Sequence, residues 1–124
     1  MSKVLLNEKS SFIKGIIFDT NIVKVLVDSG AEINGIKEEF YNSLPEGAKG
    51  IVREISRNDK ISLQTAGGKI LEYTHVVYGL IALGSRKWED EFFVIKDLPV
   101  KVLLGRPALT KIGLDLKFSI GCAE

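Results

Sequence analysis

One cysteine, one histidine, one tryptophan and three prolines in 124 residues leave little room for several common chemistries. Cys122 has no partner for an internal disulfide, a usage that suits a reducing, intracellular compartment. His75, with no second histidine and no cysteine near it, assembles neither a zinc site nor a Ser-His-Asp triad, so Ser29 lacks a base to make it a nucleophile. No metal and no cofactor are expected. Charge of one sign is also missing. The 17 basic and 16 acidic side chains are interspersed for a net charge of +1, which gives nucleic acid or an acidic membrane nothing to hold. No apolar run nears the roughly 20 residues of a membrane helix, and the N-terminus lacks the charged, apolar, small-residue order of a signal peptide. A GxxxxGK[ST] phosphate loop is absent, because Gly67-Gly68-Lys69 has neither the earlier glycine nor a following helix. The expectation is a soluble protein without nucleotide chemistry.

Hydrophobic residues make up 45% of the chain, enough for one domain over 1–124, although at this size oligomerisation adds useful burial. Residues 12–18 and 22–27 read as the strands of a hairpin reversed by Asp19-Thr20-Asn21, with Asp19 as a turn former. Residues 32–34 suit a short strand. Ile36, Phe40 and Leu44 recur at helical spacing until Pro45, which predicts a short helix. The polar stretch 45–60 has Ile51, Val52 and Ile55 to edge a sheet. Residues 61–64 and 69–73 form a second hairpin around Thr65-Ala66-Gly67-Gly68, whose glycines supply turn geometry and flexibility. Residues 76–83 and 92–95 are further apolar strands linked by Gly84-Ser85-Arg86-Lys87. Trp88 is expected to cap the core or fill a contact between copies.

Two motifs carry chemistry. In Val25-Leu26-Val27-Asp28-Ser29-Gly30-Ala31 an apolar strand delivers an aspartate into a tight turn, and the glycine lets the backbone fold so that the carboxylate is aimed outward. A lone Asp-Ser-Gly is usually an ordinary strand-to-turn aspartate. The second motif, Val102-Leu103-Leu104-Gly105-Arg106-Pro107-Ala108-Leu109 followed by Thr110-Lys111-Ile112-Gly113, makes the difference. In order and spacing the pair resembles the retropepsin family, the aspartic proteases of retroviruses and gypsy-type retrotransposons. The resemblance covers about 12–118 and leaves 119–124 as a tail.

That resemblance implies an all-β, acid-protease barrel subunit with one or two short helices, closed as a symmetric homodimer. Asp28 of each subunit would form the catalytic dyad, and the activity would be endoproteolysis of an extended polypeptide, in retroelement polyprotein maturation. Ser29 would hydrogen-bond across the dimer axis, Gly30 would give main-chain room near the substrate, and Ala31 follows the family pattern. Arg106, after Gly105, would pair with Glu32 within one subunit, with a solvent-exposed arginine of little consequence as the plain alternative. Pro107 departs from the family's usual Asp or Asn but suits the start of a helix that Gly113 would end. Thr65, Ala66, Gly67 and Gly68 stand where the family places its flap, and a plain surface hairpin fits the same residues equally well. Lys3-Val4-Leu5-Leu6 and 114–118 would interleave as strands at the dimer interface. The resemblance implies a cytoplasmic or retroelement-particle location. Two alternatives stay open: a cellular protease-like domain of the DNA-damage-inducible type, which usually lacks an arginine after that glycine, and a non-catalytic dimeric peptide-binding module.

Overall fold

A computed structural model describes residues 2–4, 11–20, 22–53, 62–65 and 67–111. Among these, the strands are β1 (Ser2–Val4), β2 (Ser11–Ile17), β3 (Ile22–Val27), β4 (Gly35–Lys37), β5 (Ile51–Arg53), β6 (Leu63–Thr65), β7 (Ile70–Leu71), β8 (Tyr73–Leu83), β9 (Arg86–Ile95) and β10 (Val102–Leu104). Two short α-helices, α1 (Glu38–Asn42) and α2 (Arg106–Lys111), and a single 3-10 turn at Glu46–Ala48 complete them.

Strands β2, β3, β10, β4, β9 and β8 pair in that order, and β8 returns to β2 through Ile16 opposite Ala82 and Ile17 opposite Ile81. The result is a closed six-strand barrel, which leaves no edge among those strands. Strand β5 hangs on the outside of this ring, against Val76 to Tyr78 of the long β8. A separate small sheet has the order β1-β6-β7, with β1 parallel to β6.

The segments Val25-Leu26, Val76-Val77, Phe92-Phe93-Val94-Ile95 and Val102-Leu103-Leu104 are buried on both faces, which explains why they read as apolar runs rather than as strict alternation. Val25, Val77, Phe92, Val94, Val102 and Leu104 enter one core. Their neighbours Leu26, Val76, Phe93, Ile95 and Leu103 enter a second, together with Ala31, Ile33, Leu63, Leu71 and Leu98. Leu63 and Leu71 thereby dock the β6–β7 hairpin on the side of the barrel where Leu26 and Ala31 flank the Asp28 turn.

The first hairpin forms as the sequence predicts, antiparallel from Ser11 opposite Val27 to Ile16 opposite Ile22. Its reversal is a turn in which Phe18 and Asp19 both have positive φ, 51° and 59°, and the Thr20 amide donates to Ile17 O at 3.1 Å. Positive φ at two central residues gives the twist a hairpin requires, but it is an uncommon conformation for phenylalanine. Packing holds it there. The Phe18 ring is buried edge-on to Phe92 (centroids 5.4 Å apart) in a seat that exists because Gly79 has no side chain; a Cβ there would lie 2.0 Å from Phe18 Cε1.

Two local expectations shift. The strand anticipated at 32–34 lies instead at Gly35–Lys37, because Gly35 and Ile36 find partners on both β9 and β10 while 32–34 bends. Ile36 therefore belongs to a strand, and the helix spans Glu38–Asn42 and buries Tyr41, with Phe40 packed partly buried against the same core and Leu44 buried just beyond the helix end. At the N-terminus, Ser2–Val4 is a strand that pairs with β6 of the same chain. Ile55, Ala66, Gly113, the expected strand at 114–118, Cys122 and the 119–124 tail lie outside the described residues.

Candidate active site

Asp28 follows the last residue of β3, beside the end of β10. The parallel pairing of β3 with β10 aligns Val27 with Leu104, and the Asp28 amide continues that ladder by donating to Leu104 O at 3.0 Å. The chain then turns at once, with the Ala31 amide donating to Asp28 O at 3.1 Å. Glycine at position 30 lets the backbone swing its N–H back onto the carboxylate, donating to Oδ1 at 2.8 Å. The carboxylate is 2% exposed, and its second oxygen, Oδ2, is buried with no hydrogen-bond partner among the described residues. Desolvating a carboxylate oxygen without a donor is costly, so this atom calls for a partner that the described residues do not supply. Ser29 and Gly30 are half-buried beside it, and Ala31 is fully buried beneath.

The Gly105-Arg106 segment clamps this turn from behind. The Arg106 amide donates to Ala31 O at 2.9 Å, which brings the backbones of 31–33 and 104–106 into contact. Only glycine permits that approach, since a Cβ on Gly105 would lie 2.4 Å from Ile33 O and 2.6 Å from Ala31 O. The Arg106 guanidinium stands 3.2 Å from Glu32 Oε1, the pair expected from the sequence, on an exposed surface. Pro107 falls in the first turn of α2, where its missing N–H costs no helical hydrogen bond.

Sequence reasoning passed over Asn34, which ties these pieces together. Buried to 2% exposure, its side chain accepts from the Gly105 amide at 3.0 Å and donates to Glu91 O at 3.0 Å, while its own carbonyl accepts from the Phe93 amide. The one available signal was an amide side chain inside the apolar run Ile33-Asn34-Gly35-Ile36. Asp90 was also missed. It is 1% exposed and accepts from Trp88 Nε1, the Glu91 amide and Lys111 Nζ, fastening β9 to α2. Trp88 is half-buried against the first core, in keeping with a capping role.

Thr65, Gly67 and Gly68 form the reversal of the β6–β7 hairpin. Gly68, at φ 90°, donates to Thr65 O, and Thr65 Oγ1 accepts from the Lys69 amide. Ile70 on this hairpin is 64% exposed. A hollow of about 270 Å³ bordered by Glu32, Asn34, Asp90, Glu91, Pro107 and Lys111 lies behind the Gly-Arg segment, and Asp28 does not line it. Among the described residues no cluster of three or more His, Cys, Asp or Glu is placed to hold a metal, and no helix is long and apolar enough to cross a membrane.

No family model and no curated protein matches the sequence. Solved structures do. The EIAV protease, in complex with the inhibitor HBY-793, is 26% identical with a TM-score of 0.66, the match covering 88% of this chain and 93% of that one. The retroviral protease-like domain of Ddi1 from Leishmania major shares the fold at 17% identity and a TM-score of 0.62, covering 92% and 83%. A Legionella pneumophila protein of unknown function shares it at 18% identity and a TM-score of 0.51, covering 84% and 87%. The chain is retropepsin-like: a mostly β barrel with two short helices in the fold of the retroviral protease subunit. Aspartic proteolysis is the activity that this fold suggests.

Proposed function

We propose that the chain is one half of a homodimeric aspartic endopeptidase, in which Asp28 of two copies meets at a two-fold axis. The observation that carries this reading is the Asp28 carboxylate, held at Oδ1 by the Gly30 amide and bare at the buried Oδ2. A second carboxylate, sharing one proton with the first, would occupy that vacant side, because two such groups about 3 Å apart do not both ionise. The unprotonated carboxylate then takes a proton from water as the water oxygen attacks the scissile carbonyl carbon, while the protonated one donates to the carbonyl oxygen. Collapse of the resulting diol transfers a proton to the amine nitrogen and breaks the C–N bond. Atoms balance with water as the sole co-reactant.

In this reading Ser29 links the two turns across the axis, Glu32 and Arg106 keep the turn's outer wall in place, and the Thr65 to Gly68 hairpin closes as a flap over an extended peptide. Arg106 after Gly105 favours a retroelement polyprotein as the substrate over the targets of DNA-damage-inducible proteins. The test is cleavage of a mixed peptide library at mildly acidic pH over a range of protein concentrations. Cleavage is expected to vanish in Asp28→Asn, to be blocked by a transition-state-mimicking aspartic-protease inhibitor, and to lose specific activity on dilution. Undiminished cleavage by Asp28→Asn would sink the reading. Absence of cleavage at every concentration that yields dimer would favour a binding module on the same scaffold.

A further inference from the structure

An extended peptide held by its main chain needs an unpaired strand edge to join. In the β6–β7 hairpin, β6 carries β7 on one edge and β1 on the other. The second pairing is parallel and three residues long, with Ser2 opposite Leu63, Lys3 opposite Gln64 and Val4 opposite Thr65. β1 pairs with no other strand among the described residues. A short parallel pairing is the weaker kind of ladder, and an unshielded edge would otherwise be an open invitation to another chain. The edge is also well placed. Leu63 is fully buried in the same core as Leu26 and Ala31, which flank the Asp28 turn, so β6 is anchored beside the carboxylate while its outer edge carries the strand.

We propose that the outer edge of β6 is a peptide-accepting edge which the chain's own Ser2–Val4 strand occupies in cis, so that an incoming extended peptide binds by displacing it. This rests on the reading of the chain as a protein that acts on peptides, and it adds a control on access to that site. Residues 5–10 join β1 to β2, and so short a tether holds the strand at a high effective concentration near its edge. Occupancy then acts as a tax: if the edge is free about one-tenth of the time, the apparent affinity for a peptide in trans falls about tenfold. A parallel occupant also sets polarity, since a peptide taking its place in the same register runs in the direction of β6.

The test uses the Asp28→Asn chain, so that nothing is cut, in three forms: full length, lacking residues 2–4, and full length with Lys3→Pro. The probe is a fluorescein-labelled peptide with the sequence of residues 1–6, Met-Ser-Lys-Val-Leu-Leu, followed by anisotropy, alongside amide hydrogen exchange at Gln64, whose N–H faces the outer edge because that of Thr65 donates to Lys69 O on the β7 side. Both altered forms are expected to exchange faster at Gln64, while Thr65, held by Lys69 O, and Leu103 in the barrel stay protected. Both should bind the probe about tenfold more tightly than the full-length chain, and the probe should restore slow exchange.

Unchanged exchange at Gln64 overturns the proposal, because β1 would then not guard the edge. Faster exchange with equal probe affinity in all three forms overturns it too, since the edge would not be shared. Loss of Leu103 protection in both altered forms would make β1 a structural strand that cannot be displaced, and that also overturns it. The catalytic reading fails separately. Peptide exchange at β6 with no cleavage by the Asp28-intact chain removes the proteolysis and keeps the edge, whereas cleavage without exchange does the reverse.

Discussion

Strand β3 has an aspartate turn at each end, and the two differ in almost everything but their letters. Asp19-Thr20-Asn21 precedes it and Asp28-Ser29-Gly30 follows it, each an aspartate with a hydroxyl residue next. Asp19 lies at the rim of the barrel with its side chain 73% exposed, at positive φ, 3.6 Å from Lys87 Nζ. Asp28 is 2% exposed, with one oxygen held by a backbone amide and the other bare. Local chemistry accounts for part of this: Gly30 turns its N–H onto the Asp28 carboxylate, whereas Asp19 sits at positive φ in a hairpin reversal. The larger part is tertiary. The entry turn projects past the last β2–β3 pair, while the exit turn emerges against β10, whose Leu104 accepts the Asp28 amide and whose next residue, Gly105, lets the backbone close behind it. A carboxylate becomes a candidate site when strands from elsewhere in the chain surround it.

The sharpest way to break that comparison is to neutralise each aspartate in turn. Asp28→Asn is expected to lower peptide cleavage by at least about a thousandfold, as loss of a member of a catalytic unit does. Asp19→Asn is expected to leave it unchanged. Stability should move the other way: asparagine keeps the shape of Asp28 but removes a buried charge that lacks a full set of partners, so the melting temperature of Asp28→Asn is expected to hold or rise. A drop of several degrees would mean that the turn depends on the charge for its structure.

What the sequence revealed about these two turns was their sorting, through the second motif around Gly105-Arg106, together with both hairpins and the mostly β character. Those features rest on local turn chemistry and apolar patterning. The hidden parts depend on partners far away in sequence. Asn34 is a hub because Gly105 and Glu91, 71 and 57 residues distant, bring a donor and an acceptor to it. The strand at Gly35–Lys37 exists because β9 and β10 arrive on both sides of it. Asp90 looked like one more surface carboxylate until the barrel buried it under Trp88 and Lys111. No periodicity within ten residues reports such contacts.

Asn34→Ala tests how far the exit turn depends on that remote support. It leaves the buried Gly105 N–H and Glu91 C=O without their side-chain partners and should cost about 2–4 kcal/mol, read from urea unfolding. Less than about 1 kcal/mol would mean that water or another group replaces the amide. The entry turn has its own dependence, on Gly79. A methyl group there collides with the Phe18 ring, and Gly79→Ala should cost about 1–3 kcal/mol through overpacking, leaving the Asp28 turn unaltered. Smaller still is the effect of Arg106→Ala on stability. Its guanidinium and the Glu32 carboxylate are 58% and 40% exposed, so the pair is worth less than about 1 kcal/mol, and its contribution should shrink in high salt.

The smallest expected effect separates both aspartate turns from the rest of the molecule by pH. His75 on β8 packs edge-on to Tyr41 of α1, ring centroids 5.3 Å apart, with Nδ1 2.8 Å from Thr74 Oγ1. Burial lowers its pKa from the ordinary 6.5, and the nearby Glu38 charge opposes this more weakly. The unfolded chain therefore binds the His75 proton at a higher pH than the folded chain does. The stability that neutral His75 contributes is fully present above pH 6.5, declines as the pH falls through the interval down to the folded value, and levels off below it. That interval begins above the range in which ordinary carboxylates titrate. Melting curves of the wild type and His75→Gln at half-unit steps from pH 7.5 downward should show the difference between them shrinking in the wild type's disfavour below about pH 6.5. A difference that stays constant with pH would mean that the histidine titrates alike in both states, and that packing of α1 on β8 takes no part in the acid response.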